Sequence, residues 1–508
     1  MTTASLEGNE KDIALGGYSA LAESAWMGAA QASEVLDSLR GSHASPRAAV
    51  PGARSRIAGL LTREFTVAQA TVILAASFFI SAMLGSVRQV LFNAEFGAGL
   101  EASAYYAAFR LPDTLFSLIA GGALSSAMIP VLLSTSREDG EEATGRLVNI
   151  VLTALLATFV LVVVVGEIVA PAFVTHLLAP GFDDETSALT SCLTRIMLVQ
   201  PVILVIGSVA TAVLNSRSQF LLTALSVMSH NLALIAGILA SRAIPGLGIY
   251  GPTLGVIGGA VLQVIILAPG LLQHRGGPRL VIDWHDARLA EVVRLLVPNG
   301  LAVGVGYVGF ILDTSFASRA AEAAALAAVQ NAWLMVGLPI ALLGQAVGQA
   351  VFPRLAAHAA DLDWHKMRTA VLQSLAFVVV LSLPALVGFF LLGRQMISTV
   401  FEQGKFDAAA GDLTFDLLLI YAVALPAYVA TEVVTRGLIS LRDTRTPLLT
   451  NALQMAGRGL IMAALISDRG ATAIPIAFAV TASIETVLLA TVFLTKLQLR
   501  VSAAPATV

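Results

Sequence analysis

Apolar residues run in long blocks along most of this chain, and polar residues gather in the short gaps between them. Residues 150–165, IVLTALLATFVLVVVV, are typical of the blocks. An apolar block of about 20 residues is long enough to cross hydrocarbon as a helix, which is how its backbone groups stay paired away from water. The pattern predicts twelve spans, at 66–94, 103–133, 146–176, 187–214, 220–241, 251–273, 289–317, 323–353, 368–393, 409–440, 447–467 and 471–496. Several are longer than a bilayer requires, so tilts or kinks are expected, with Pro112, Pro201, Pro339, Pro384 and Pro426 as kink positions. The predicted fold class is an all-α polytopic membrane protein. Residues 1–64 break the pattern. They are rich in Ala, Ser, Gly and charge, and lack the basic start and apolar middle of a secretory signal. They read as a flexible tail, with 42–56 (SHASPRAAVPGARSR) a basic linker.

Composition agrees, at 57% hydrophobic and 12% charged residues, where soluble domains carry about 25% charged. The net charge of -3 says nothing about partners, but the distribution of charge does. With the N-terminus placed inside, seventeen Lys and Arg near the spans fall on the inner side. Only Arg242, Arg319, Arg394, Lys405 and Arg469 fall outside. This asymmetry predicts both termini in the cytoplasm and an even number of spans. Cys192 is the single cysteine, which excludes an internal disulfide and a cysteine-cluster metal site; a buried helix position is expected for it.

The blocks also repeat. Residues 121–130 read GGALSSAMIP and 344–353 read GQAVGQAVFP, each with Gly nine positions before Pro. LLT opens the fifth span at 221–223 and the eleventh at 448–450. Both pairs are about six spans apart, so the halves share one orientation. Parallel repeats of this kind belong to transporters whose path lies between two bundles. The implied organisation is a cytoplasmic tail (1–64), a six-helix lobe (65–274), a linker (275–288), a second six-helix lobe (289–498) and a C-terminal tail (499–508).

Charges inside spans are costly and mark protected interiors or function. They include Arg88, Arg110, Glu167, Arg195, Asp313, Glu432, Arg436, Arg458 and Glu485. Arg88 is the first candidate to hold an anionic substrate, because a guanidinium binds phosphate through two parallel hydrogen bonds. Arg458, between Gly457 and Gly459, and Asp313, beside Thr314 and Ser315, either line a cavity or pair with a neighbouring helix. His230 and Asn231 are expected to make an interhelical hydrogen bond. No phosphate-binding GxxxxGK[ST] loop, Gly-x-Ser-x-Gly elbow or HExxH occurs, so no catalytic residue, metal ligand or cofactor is assigned and the chain is not expected to be an enzyme. Basic residues are dispersed over loops, which argues against a nucleic-acid partner.

Several stretches resemble the MurJ/MviN lipid II flippase family. They are 96–99 (FGAG), 107–112 (AAFRLP), 130–132 (PVL), 180–182 (PGF), 313–318 (DTSFAS), 337–339 (GLP), 352–355 (FPRL), 401–407 (FEQGKFD), 425–428 (LPAY) and 443–447 (DTRTP), all in the family's order. The resemblance implies a multidrug/oligosaccharidyl-lipid/polysaccharide (MOP) exporter fold in the cytoplasmic membrane. It also implies alternating-access movement of undecaprenyl-pyrophosphate-linked peptidoglycan precursor, with membrane lipids and a lipid-linked glycan as partners. Arg88 matches the family's cavity arginine, while Ala82, Ser103, Phe116, Ser117, Gly121 and Trp333–Leu334 stand where it implies charged residues. The family commonly carries two further C-terminal helices, and this sequence ends about ten residues past the twelfth span. Substrate contact is therefore expected from Arg88, Arg110, Arg458 and Ser103, and ion coupling from Asp313 and Glu432. Two other readings stand beside this one. One is an exporter of another lipid-linked saccharide or amphiphile. The other is a non-transporting scaffold whose tail docks cell-wall synthesis proteins.

Overall fold

The computed structural model of the protein describes residues 65–120, 123–272 and 277–503; the tail 1–64 and the last five residues lie outside the described residues. Every regular element among the described residues is helical. In chain order these are α1 (Val67–Phe96), α2 (Leu100–Ala120), α3 (Ala123–Glu138), α4 (Gly140–Phe173), α5 (Asp184–Ser216), α6 (Phe220–Ala243), α7 (Tyr250–Leu272), α8 (Ala287–Ala317), α9 (Ala325–Pro339), α10 (Ala346–Ala360), α11 (Trp364–Val400), α12 (Ala408–Ser440), α13 (Arg445–Arg469) and α14 (Ala473–Ala503). Nine segments among the described residues are long and apolar enough to cross a membrane, and one of them, Arg445–Arg500, contains α13 and most of α14. The expected spans 103–133 and 289–317 are helical but are not among the nine. In the first, α2 carries Glu101, Arg110 and Asp113.

Aspartates start many of these helices by accepting backbone N–H groups that have no partner in the first turn. Asp183 accepts from Thr186, Asp286 from Arg288 and Leu289, Asp407 from Ala410 and Asp443 from Thr446. At α11, Asp363 Oδ1 accepts from Lys366 N at 3.0 Å and Oδ2 lies 2.7 Å from Lys366 Nζ. The Lys366 side chain and backbone N–H hold this carboxyl below the usual carboxylate range. A depressed carboxylate stabilises fully above its unfolded pKa of about 3.9, and the contribution disappears as pH falls through the folded value. Asp363→Asn keeps an acceptor at the cap but cannot titrate. It is expected to flatten the acid-side fall of the unfolding temperature in detergent, read between about pH 5 and pH 3. An unchanged acid limb would remove Asp363 from that role.

The described chain divides into two compact units. The first contains residues 65–329 together with 395–414, so α8 and the turn between α11 and α12 pack with α1–α7. Its main core joins α3, α4, α5, α7 and α8 through Met128, Val151, Val209, Leu267 and Val292, all nearly inaccessible. In the same unit, α6 and α7 approach at backbone distance. A Cβ on Gly237 would lie 2.4 Å from Gly251 O, which only a residue without a side chain permits. Among the described residues, the second unit contains 330–394 and 415–503, with a core of Leu355, Met367, Val371, Val434, Leu438, Leu489 and Phe493.

The second of the repeated small-residue patches begins at a helix irregularity. Residues 121 and 122 of the first patch lie outside the described residues; the second patch begins within a π-helical segment, Ile340–Gln345, that joins α9 to α10. Pro339 closes α9 at this point, whereas Pro112, Pro201, Pro384 and Pro426 lie inside α2, α5, α11 and α12. Cys192 corrects one expectation, since it is exposed on α5 rather than buried. The burial habit of a thiol reflects avoidance of water, and the outer face of a membrane helix meets lipid instead. Ile168, 73% exposed on α4, illustrates the same inversion.

Candidate functional site

The buried polar residues of the first unit converge where α1, α2, α6 and α8 carry charge. On α1, Arg88 Nη1 donates to Asn231 Oδ1 of α6 at 3.0 Å. Asn231 Nδ2 in turn donates to Ser81 O at 3.1 Å and Ser81 Oγ at 3.0 Å, two turns before Arg88. Asn231 is thus fixed at both ends of its amide, and the guanidinium is fixed by Asn231. The expected interhelical hydrogen bond at this position is present. Gly85 faces it, since a Cβ there would stand 3.8 Å from Asn231 Oδ1.

On α2, Arg110 Nε donates to Thr314 Oγ1 of α8 at 3.1 Å, and its guanidinium sits 5.2 Å from the centre of the Phe310 ring. Thr314 donates to Phe310 O, so both anchors belong to one turn of α8. One turn past Arg110, half-buried Asp113 is within electrostatic reach of both Arg110 and Arg88. Asp313, 6% exposed, also acts on Arg110. Ser117, a further turn along α2, donates to the Tyr307 hydroxyl of α8 at 2.6 Å. Below them Gln89 Nε2 bonds Asn93 Oδ1 at 3.0 Å and the Tyr106 hydroxyl at 2.5 Å, a closed network that stiffens α1 against α2.

Of the residues singled out in the sequence, Arg88, Arg110 and Asp313 come together in this unit. Ser103 is in the same unit but is 2% exposed and donates to Ala323 O at 3.2 Å. Arg458 and Glu432 belong to the second unit. Arg458 is 1% exposed, with its guanidinium 5.0 Å from the centre of the Phe478 ring. Phe478 belongs to an aromatic cluster with Trp333, Tyr421 and Tyr428, so Trp333 fills the position of an expected charge with packing. Glu432 lies 3.8 Å from Arg436 on the same face of α12. Asp113 and Tyr307 were not singled out by the sequence pattern. Asp113 had a signal, because a carboxylate three residues after an arginine in a helix faces it. Tyr307 had none, since an aromatic residue in an apolar run reads as core.

This arrangement presents planar guanidiniums at fixed positions among carboxylates, hydroxyls and an aromatic face, which suits recognition of an anion carrying further polar groups. A family model described as "Lipid II flippase MurJ" matches residues 92–505. The lipid II flippase MurJ of Burkholderia cenocepacia is 29% identical over 374 residues, covering 72% of this chain and 72% of its own. The probable lipid II flippase MurJ of Rhizobium tropici is 27% identical over 399 residues, covering 77% and 74%. Among solved structures, a lipid II flippase MurJ in an inward closed conformation superposes with a TM-score of 0.72 at 20% identity, covering 84% of this chain and 90% of that one. An inward-facing multidrug resistance MATE transporter of the MOP superfamily gives 0.73 at 14% identity, covering 86% and 99%. The fold is that of the MOP exporters. With a family model extending over most of its length and relatives matched across nearly three quarters of theirs, the chain belongs to the MurJ family of lipid II flippases.

Proposed function

We propose that this protein moves lipid II across the cytoplasmic membrane by alternating access, and that Arg88 and Arg110 hold the diphosphate of its headgroup. The observation that carries this reading is the pair of anchored guanidiniums in one unit, each held by a side chain of a different helix. A diphosphate entering a low-dielectric site needs compensating charge, and two preset guanidiniums supply it without first being ordered. Ser103, Arg458, Asp313 and Glu432 extend the proposal: Ser103 as a further substrate contact, Arg458 as a charge attracting the headgroup, and Asp313 with Glu432 in ion coupling. The excess of Lys and Arg on one side of the spans supports cytoplasmic termini and a tail available to cell-wall synthesis proteins.

Complementation tests the reading. The native chain is expected to restore growth to a bacterium depleted of its lipid II flippase, and Arg88→Ala is not. Failure of the native chain despite normal membrane abundance would overturn the proposal. Asn231 gives a finer test, because it positions Arg88. Asn231→Ala removes a hydrogen bond to a charged group, worth about 1.5–3 kcal/mol. It should weaken lipid II binding about tenfold or more while Arg88 is still present. Equal binding by Asn231→Ala and the native chain would show that Arg88 needs no such support.

A further inference from the structure

Between α7 and α8 the chain runs without a helix over residues 277–286, and side chains of α4 hold it in place. Asn149 Nδ2 donates to Gly277 O at 3.2 Å, while Asn149 Oδ1 accepts from Arg279 N at 3.0 Å. Thr153 Oγ1 accepts from Val281 N at 2.9 Å, and Arg146 Nη2 lies 3.0 Å from Asp283 Oδ2. Val281 packs on the main core of the first unit. The alternate side chains point the other way: Leu280, Ile282 and Trp284 are 76%, 74% and 56% exposed. Core packing does not account for a row of large apolar side chains turned away from the unit, with exposed Arg279 before it. Such a row marks a surface that meets a partner or a membrane.

The depth of the segment says which. No charged residue occurs on α7 from Tyr250 to Leu272, and Gly277 follows five positions later. On α4 no charge occurs between Arg146 and Glu167. Thr153 lies about 10 Å along the helix past Arg146. The segment therefore dips to the level where the apolar part of α4 begins. Non-helical backbone at that level has to find its hydrogen bonds within the protein, and Asn149 and Thr153 provide them. Tryptophan favours the membrane–water boundary, and a long arginine side chain there reaches toward the polar side. We propose that residues 277–286 form an interfacial anchor. Leu280, Ile282 and Trp284 enter the phospholipid leaflet at this end of the first unit, and Arg279 meets its headgroup phosphates. Lipid is the occupant because the row lies beside the apolar part of a membrane-spanning helix and the adjacent charge is complementary to phosphate. The anchor ties the first unit to one leaflet at the point where the chain passes from α7 into α8.

The test is tryptophan fluorescence of the full-length protein in vesicles of phosphatidylcholine and phosphatidylglycerol, prepared with and without bromine on the acyl chains near the glycerol. The difference between the native chain and Trp284→Phe isolates the emission of Trp284. That emission is expected to be blue-shifted, to lose most of its intensity in the brominated vesicles and to resist acrylamide added from the water. The double variant Leu280→Asp with Ile282→Asp, measured against the same variant carrying Trp284→Phe, should shift the emission to the red and open it to acrylamide. Its unfolding temperature in detergent should stay near the native value, because both side chains point away from the core. Trp284 emission quenched by acrylamide and untouched by bromine would place the segment in water and overturn the proposal. Protection from both quenchers would show that protein covers the row, and would overturn it equally. Bromine quenching that survives in the double variant would remove Leu280 and Ile282 from the anchor.

Discussion

Arg110→Ala is expected to abolish rescue of a flippase-depleted cell and to lower lipid II affinity by about two to three orders of magnitude. The size follows from what the side chain offers. A guanidinium bound to a diphosphate through two charge-assisted hydrogen bonds contributes about 1.5–3 kcal/mol for each. Loss of both is about 3–5 kcal/mol, or a few hundredfold to a few thousandfold in binding. Arg110 is set for this work before the ligand arrives, since Thr314 and the Phe310 ring fix its plane. Arg110→Lys keeps the charge but not the planar fork, and partial rescue is expected.

Truncation also strands charge. Without Arg110, Asp113 and Asp313 lose the cation that acts on both, and an unpaired charge in the interior destabilises by several kcal/mol. The double variant Arg110→Gln with Asp113→Asn removes both signs together. Its unfolding temperature in detergent should recover toward the native value while lipid II binding stays weak. If binding recovers with stability, Arg110 is structural and the headgroup is held elsewhere.

Much of the fold was legible because a bilayer leaves few solutions. Apolar blocks had to be helices, and the predicted spans fall on helices throughout the described chain. The second small-residue patch marked a real feature, since it begins within the π-helical segment Ile340–Gln345. What was not legible was which helices pack together. A span that is apolar on every side has no favoured face, so nothing in 289–317 indicated that this helix groups with α1–α7. The same limit applies to the site. Arg88 and Arg110 stood out as charges in apolar runs, but their anchors, Asn231 and Thr314, lie 143 and 204 residues away in sequence. Arg458 stood out equally, and the structure sets it against Phe478, because an aromatic face is one of the few surroundings that suit a buried guanidinium.

The stretch FEQGKFD at 401–407 is the most specific mark of family resemblance, and its glycine has a packing explanation. Gly404 has φ of +60°, in the left-handed region that side chains disfavour by about 1–2 kcal/mol. A Cβ there would also stand 2.1 Å from Ala94 O and 3.0 Å from Ala94 Cα, both backbone atoms of α1. The neighbouring Lys405 N donates to the same Ala94 O at 2.8 Å, so the turn cannot retreat without breaking that bond. Gly97, at the end of α1, answers from the other side with φ of +68° and space for a Cβ only 2.6 Å from Lys405 O. Two glycines thus let the turn and the end of α1 meet backbone to backbone within one unit. Strain, clash and the lost hydrogen bond together cost about 3–5 kcal/mol. Gly404→Ala is therefore expected to lower the unfolding temperature by many degrees and to deplete the protein from membranes, and Gly404→Val to do so at least as strongly. Gly388→Ala on α11 supplies the contrast, because nothing lies within 4 Å of the added Cβ and alanine favours a helix over glycine. It should match or exceed native stability. A Gly404→Ala protein as abundant and as heat-resistant as Gly388→Ala would mean that the turn is free to move away from α1, and that the motif is kept for a reason other than this contact.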